Sequence, residues 1–151
     1  GAVDALMKPI DKHSLLDAVH RYIGTKSDKK ILIVDDEAIN RDLIKRYLSD
    51  GQLQLFEATN GAEAMELLMD LSPDLILLDL MMPIMDGFEF LDILRQKDNF
   101  GMVPIIVITS KSLTGKELEF LNARTSAVLQ KGDLTKSDLN NQLSKVLREK
   151  E

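Results

Sequence analysis

Four apolar runs in this chain each end on a side chain able to do chemistry. Ile31–Val34 is followed by Asp35-Asp36, Leu75–Leu78 by Asp79, Ile105–Ile108 by Thr109-Ser110, and Ser126–Gln130 by Lys131. Short apolar runs bounded by polar residues read as buried strands. If those strands lie parallel, the loops at their C-terminal ends share one crevice, and ligands sit there where the strand order reverses. Three carboxylates, a hydroxyl and an ammonium would then meet. Acids so close repel and need a cation to coexist. Oxygen ligands suit a hard divalent ion, and Mg2+ takes only a few carboxylates while keeping its waters. With no cysteine in the chain and no histidine near these runs, zinc is a poor match. An ionised carboxylate beside Mg2+ is a nucleophile for a phosphoryl group. Lys131 and the Thr109 hydroxyl would then contact phosphoryl oxygens. Each residue alone has an ordinary reading: Asp36 as a helix cap, Asp79 as a strand terminator, Thr109 as a β-branched strand residue, Lys131 as a surface charge.

The elements that must place these groups alternate along the chain. Between the first run and a strand over 53–57, Ile39, Leu43, Ile44, Tyr47 and Leu48 fall at helical spacing and Gly51 closes the helix. Asn60-Gly61 marks a turn before a helix over 62–69, with Met65, Leu68 and Met69 expected on one apolar face. Phe88, Leu91, Ile93 and Leu94 predict a helix after the Asp86-Gly87 turn, residues 114–121 a short one, and Leu139, Leu143, Val146 and Leu147 a last one capped by Thr135 or Ser137. Five strands alternating with five helices predict an α/β fold with a parallel sheet covered on both faces.

The totals narrow the function. The chain has 151 residues, is 44% apolar and 29% charged, and so has an ordinary globular composition. A net charge of −6 argues against nucleic-acid binding. No apolar run is long enough to span a membrane and no signal peptide is visible. The lack of cysteine fits a cytoplasmic setting.

Residues 1–28 fall outside the strand–helix alternation. They read as a strand over 2–7, Lys8-Pro9, a helix carrying Leu15, Leu16, Val19, Tyr22 and Ile23, and a linker over 24–30. Lys8 and Lys131 stand 123 residues apart, while Leu15, Val19, Tyr22 and Ile23 match Leu139, Leu143, Val146 and Leu147 at a separation of 124. A repeat at one domain length predicts that residues 1–28 are the last strand and helix of a preceding, similar domain, with the main domain at 29–151. Gly1 in place of an initiating Met fits a piece of a longer protein. His13 and His20 on that helix are expected at the surface. Its apolar stripe needs a partner. Two arrangements are open, docking on its own domain or on a second copy; because the main domain looks complete without it, the second, a homodimer through residues 1–28, is favoured.

As an ordered set, "VDDEAINR" at 34–41, "LILLDLMMPIMDG" at 75–87, "VITS" at 107–110 and "LQKG" at 129–132 resemble the receiver domain of two-component response regulators. The resemblance covers residues 30–148 and implies a flavodoxin-like, doubly wound (βα)5 sheet of order 2-1-3-4-5. It implies Asp79 as phosphoacceptor and a histidine kinase or a histidine-containing phosphotransfer domain as donor. It also implies Mg2+ held by Asp36, Asp79 and the Met81 carbonyl, with Asp35 acting partly through water. Thr109 and Lys131 correspond to the family's switch hydroxyl and phosphate-contacting lysine. Residues 1–23 resemble a receiver's own end. The motifs look most like receivers attached to hybrid histidine kinases. Two positions depart from the pattern: Val128 stands where many receivers carry an aromatic residue, and Gly132 where proline is usual.

Two other functions compete. An aspartate-nucleophile phosphatase usually needs a second Asp two residues past the nucleophile, where this chain has Met81. A scaffold with a disused site would not need Asp35, Asp36, Asp79, Thr109 and Lys131 together. The reading is therefore a signalling module that assists its own phosphorylation and dephosphorylation, not a conventional enzyme.

Overall fold

The computed structural model describes residues 12–24, 28–49, 52–97, 100, 103–109 and 112–130. Ten elements follow in order: α1 (Lys12–Ile23), β1 (Lys30–Val34), α2 (Ala38–Leu48), β2 (Gln54–Ala58), α3 (Gly61–Leu67), β3 (Leu75–Leu78), α4 (Gly87–Arg95), β4 (Ile105–Thr109), α5 (Gly115–Arg124) and β5 (Ala127–Gln130). The strands form one sheet in the order β2-β1-β3-β4-β5, every neighbouring pair parallel. This is the expected doubly wound order. The expected strand over 2–7 and helix over 139–147 lie outside the described residues.

Buried strand residues alternate between two apolar clusters, as the two-residue period of a strand requires. Leu32, Val34, Ala58, Ile76, Leu78, Ile105, Val107 and Val128 face Ala64 of α3, Phe90, Leu91 and Leu94 of α4, and Leu121 of α5. Ile31, Ile33, Leu75, Leu77, Ile106, Ile108 and Leu129 face Ile44 and Leu48 of α2 together with Leu15, Ala18 and Val19 of α1. Burying an aliphatic side chain stabilises by about 1.5–3 kcal/mol, so both faces contribute to the core.

Helix α1 therefore docks on its own sheet. The expectation of packing on a second copy rested on the sheet being covered already, and this face accommodates α1 beside α2. The Tyr22 hydroxyl donates to the Ser126 carbonyl at 2.7 Å, which ties the end of α1 to the entry of β5. His13 and His20 are exposed, with His13 3.4 Å from Asp17.

Other boundaries follow local chemistry. Thr114 caps α5 in a capping box: its hydroxyl accepts from the Glu117 N–H, and the Glu117 carboxylate accepts from the Thr114 N–H. Glu117 is thus part of the start of α5. Helix α3 ends at Leu67, and Met69 and Asp70 close tighter turns onto Glu66 and Leu67. The tighter winding takes Met69 off the apolar face, leaving it 82% exposed, against expectation. Ile39, in the first turn of α2, is also exposed. No helix among the described residues is long and apolar enough to cross a membrane.

Candidate functional site

The sheet ladder itself carries two of the acids into position. Past the last residue of β1, the Asp35 N–H donates to the Ala58 carbonyl at 3.1 Å; past β3, the Asp79 N–H donates to the Val34 carbonyl at 2.8 Å. Asp35 and Asp79 thus extend the central adjacent strands β1 and β3, between which the chain order reverses. Both are nearly buried, Asp35 2% and Asp79 6% exposed. Asp36 is exposed beside them, and carboxylate oxygens of all three lie within 4.8 Å of one another.

Neighbouring groups fix the two buried carboxylates. Asp35 Oδ1 accepts from the Glu37 N–H at 2.9 Å, while the Asp35 carbonyl accepts from Arg41 at 2.8 Å. Arg41 is held in turn by Glu57 at 3.0 Å. Asp79 Oδ1 accepts from the Leu80 N–H at 2.8 Å, with the Met81 N–H at 3.5 Å. The N-cap of α2 is Glu37, whose side chain makes no cap bond. The reading of Asp36 as a helix cap therefore falls away.

Glycines set the loop after Asp79. A Cβ on Gly87 would lie 2.6 Å from the Asp79 carbonyl oxygen and 2.8 Å from the Leu80 Cα. The Gly87 N–H donates to the Leu80 carbonyl at 3.0 Å, and the Gly61 N–H to the Met85 carbonyl at 3.0 Å. A Cβ on Gly61 would meet the Met85 side chain and carbonyl at 2.8–2.9 Å. Sequence reasoning placed a turn and helix start at Asp86-Gly87, and Asp86 does cap α4 by accepting from the Glu89 N–H. It missed that these two glycines let the loop close against α3 and the segment that carries Asp79. Between them, the Met85 N–H donates to the Pro83 carbonyl across Ile84, whose φ is +69°. That is the strained form of a three-residue turn, held by a β-branched residue.

Met82 and Met85 pack against the core, whereas Met81 is 55% exposed. Met81 lines an open cleft of about 590 Å³ with Asp36, Leu80, Met82, Pro83, Asp86, Phe88 and Glu117. Thr109, the last residue of β4, is fully buried opposite Gln130 of β5. Lys131, the next residue after β5, and Ser110 lie outside the described residues. Val128 is 1% exposed in the core opposite Val107, so no aromatic side chain is available there to swing.

The donor set fits a hard divalent cation. It is all oxygen and anionic, and backbone N–H groups hold Asp35 and Asp79 in place before any ion arrives.

The family described as response regulator receiver domain matches residues 31–144. The transcriptional regulatory protein ResD of Bacillus subtilis is 39% identical over 105 residues, 70% of this chain and 42% of that protein. The sensor histidine kinase CheAY of Helicobacter pylori is 40% identical over 90 residues, 58% of this chain and 11% of that protein. The chain thus spans less than half the length of these curated relatives. Among solved structures, the phosphorylated cyanobacterial phytochrome response regulator RcpA superposes with a TM-score of 0.65 at 26% identity, covering 71% of this chain and 83% of that one. The receiver domain of a sensor histidine kinase from Pseudomonas aeruginosa, solved with a magnesium ion coordinated in its active-site cleft, gives 0.62 at 25% identity, covering 79% and 97%. A family match of that length, on a sheet wound in that order, makes this chain a member of the response regulator receiver domains.

Proposed function

We propose that Asp79 is the phosphoacceptor of this receiver, taking its phosphoryl group from the phosphohistidine of a histidine kinase or a histidine-containing phosphotransfer domain. The observation that carries this reading is the near-buried Asp79 carboxylate, fixed at a strand end within 4.8 Å of the Asp35 and Asp36 oxygens. In the transfer, an Asp79 oxygen attacks phosphorus, the phosphorus–nitrogen bond breaks, and the imidazole leaves as the electron pair returns to its nitrogen. The Leu80 N–H on Oδ1 fixes the plane of the carboxylate and so the direction in which Oδ2 faces. Asp36, Asp79 and the Met81 carbonyl would hold Mg2+, with Asp35 partly through water. When bound, the ion neutralises charge on carboxylate and phosphoryl oxygens. Thr109 and Lys131 are proposed to contact the phosphoryl oxygens. With Val128 aliphatic and buried, a response to phosphorylation would not run through an aromatic side chain at that position.

Residues 1–28 are read as the end of a preceding receiver, which suits a hybrid histidine kinase working in the cytoplasm. The likeness to a sensor kinase and to a sensor-kinase receiver domain supports that setting. The phosphatase alternative lacks support because exposed Met81 offers no acid to the cleft.

Asp79→Asn tests the assignment. It keeps size and fold but removes the nucleophile, so treatment with acetyl phosphate and Mg2+ should add a phosphoryl mass to the wild type alone. An adduct of undiminished yield on the variant would refute the assignment.

A further inference from the structure

Asp35 is gripped from three sides. Its N–H donates to the Ala58 carbonyl at 3.1 Å, its Oδ1 accepts from the Glu37 N–H at 2.9 Å, and its carbonyl accepts from Arg41 Nη1 at 2.8 Å. Arg41 is itself braced. Its Nε donates to Glu57 Oε1 at 3.0 Å, and its side chain is only 15% exposed. Glu57 gives its other oxygen to Lys45 Nζ, also at 3.0 Å. Adjacent residues of β2, Glu57 through Arg41 and Ala58 directly, thus hold the Asp35 backbone at both its carbonyl and its N–H.

The carbonyl that Arg41 holds lies in the peptide plane between Asp35 and Asp36. That plane is stiff, so fixing its oxygen also fixes the Asp36 N–H and Cα. Among the described residues none bonds the exposed Asp36 carboxylate, so its backbone sets where its oxygens can reach. We infer, on the reading of the acid cluster as a Mg2+ site, that Arg41 is a positioning residue of that site: braced by Glu57, it orients the Asp35–Asp36 peptide so that both carboxylates meet Asp79. Arg41 acts through the backbone and is not itself a ligand. The task suits a guanidinium, whose fork presents Nε to one partner and Nη1 to another; a lysine ammonium is a single point of charge.

The sign of the effect separates positioning from electrostatics. A cation near a metal site repels the ion, so removing its charge alone would tighten Mg2+ binding. Loss of positioning weakens it. Calorimetric titration with Mg2+ of folded full-chain variants tests this. Arg41→Met should raise the dissociation constant about threefold, the loss expected for one hydrogen bond of ordinary strength. Arg41→Lys keeps the charge and the stem but loses the fork, and should weaken binding similarly; it carries the test if Arg41→Met does not fold. Lys45→Met removes the other partner of Glu57 and should leave affinity unchanged.

Unchanged or tighter binding by the Arg41 variants would overturn the inference. So would an equal loss in Lys45→Met, which would mean a general loosening of α2 on β2. Asp36→Ala keeps the two failures apart. If it weakens binding while the Arg41 variants do not, the acid cluster stands as the ion's site and only the role of Arg41 falls; if it binds as wild type does, both fall. Amide hydrogen exchange without the ion gives a second readout. The Asp35 and Glu37 amides should exchange faster in Arg41→Lys than in wild type or Lys45→Met, and equal protection in all three would overturn the positioning role.

Discussion

The two faces of the sheet are covered in different ways. On one, α3, α4 and α5 each connect consecutive strands, so the chain path itself lays them down. On the other, α2 is such a crossover but α1 precedes the first strand and is held by side chains alone. Crossover helices have little choice, because a strand–helix–strand connection closes with one hand. A terminal helix has to match a surface. The acidic site depends on the first kind of order: the loop from β3 to α4 carries Asp79 into the crevice and is closed against α3 by backbone contacts.

If that contrast is right, damage to the connection after β3 should cost far more than damage to α1. Gly87→Ala would drive a methyl into the Asp79 carbonyl. Overpacking against backbone should cost about 3 kcal/mol, visible as a lower chemical-denaturation midpoint, and phosphoryl uptake should fall with it. An Ala variant as stable and as reactive as wild type would mean the loop does not clamp Asp79. Next in size, Asp36→Ala removes an exposed carboxylate from a sparse ligand set. Mg2+ affinity by calorimetry should drop about tenfold, or ~1.4 kcal/mol, with the fold unchanged because Asp36 caps nothing. Equal affinity would remove Asp36 from the ion's ligands.

The face held by α1 should answer more gently. Tyr22→Phe deletes the bond to Ser126 and should cost about 1 kcal/mol, leaving acetyl phosphate uptake at Asp79 intact. A loss as large as that of Gly87→Ala would erase the distinction between the faces. The smallest effect belongs to the rim of the site. Met81 is exposed in the cleft and its thioether is a weak acceptor, poor at positioning an attacking water. Met81→Asn should speed loss of the phosphoryl group by roughly threefold, ~0.6 kcal/mol. Unchanged or slower decay would show that residue 81 does not set the lifetime.

Much of this was legible in the residues. Leu75–Leu78 is a strand with the expected bounds, because a run of four apolar residues, too short for a helix, suits a strand buried on both faces. The three carboxylates do converge, as their common place after apolar runs implied. The misses have local causes. Met69 was expected in the core from a helical period that the chain abandons at Leu67. Asp36 looked like a cap, yet the helix starts after Glu37, and the Asp35 carboxylate accepts the Glu37 N–H instead. Nothing in the letters Gly61 and Gly87 says which backbone will approach them.

The sequence by itself determined which segments are strands and which ends of them carry reactive groups, and its ordered motifs carried the resemblance to receivers. The strands and their ends follow from side-chain type and period, which are local properties. Tertiary structure decided where α1 goes, how closely Gly87 lets the loop approach Asp79, and which carboxylates are withdrawn from water. Those outcomes depend on distances between segments far apart in the chain. An apolar stripe states only that a helix will be buried; the surface that buries it exists only once the strands have assembled.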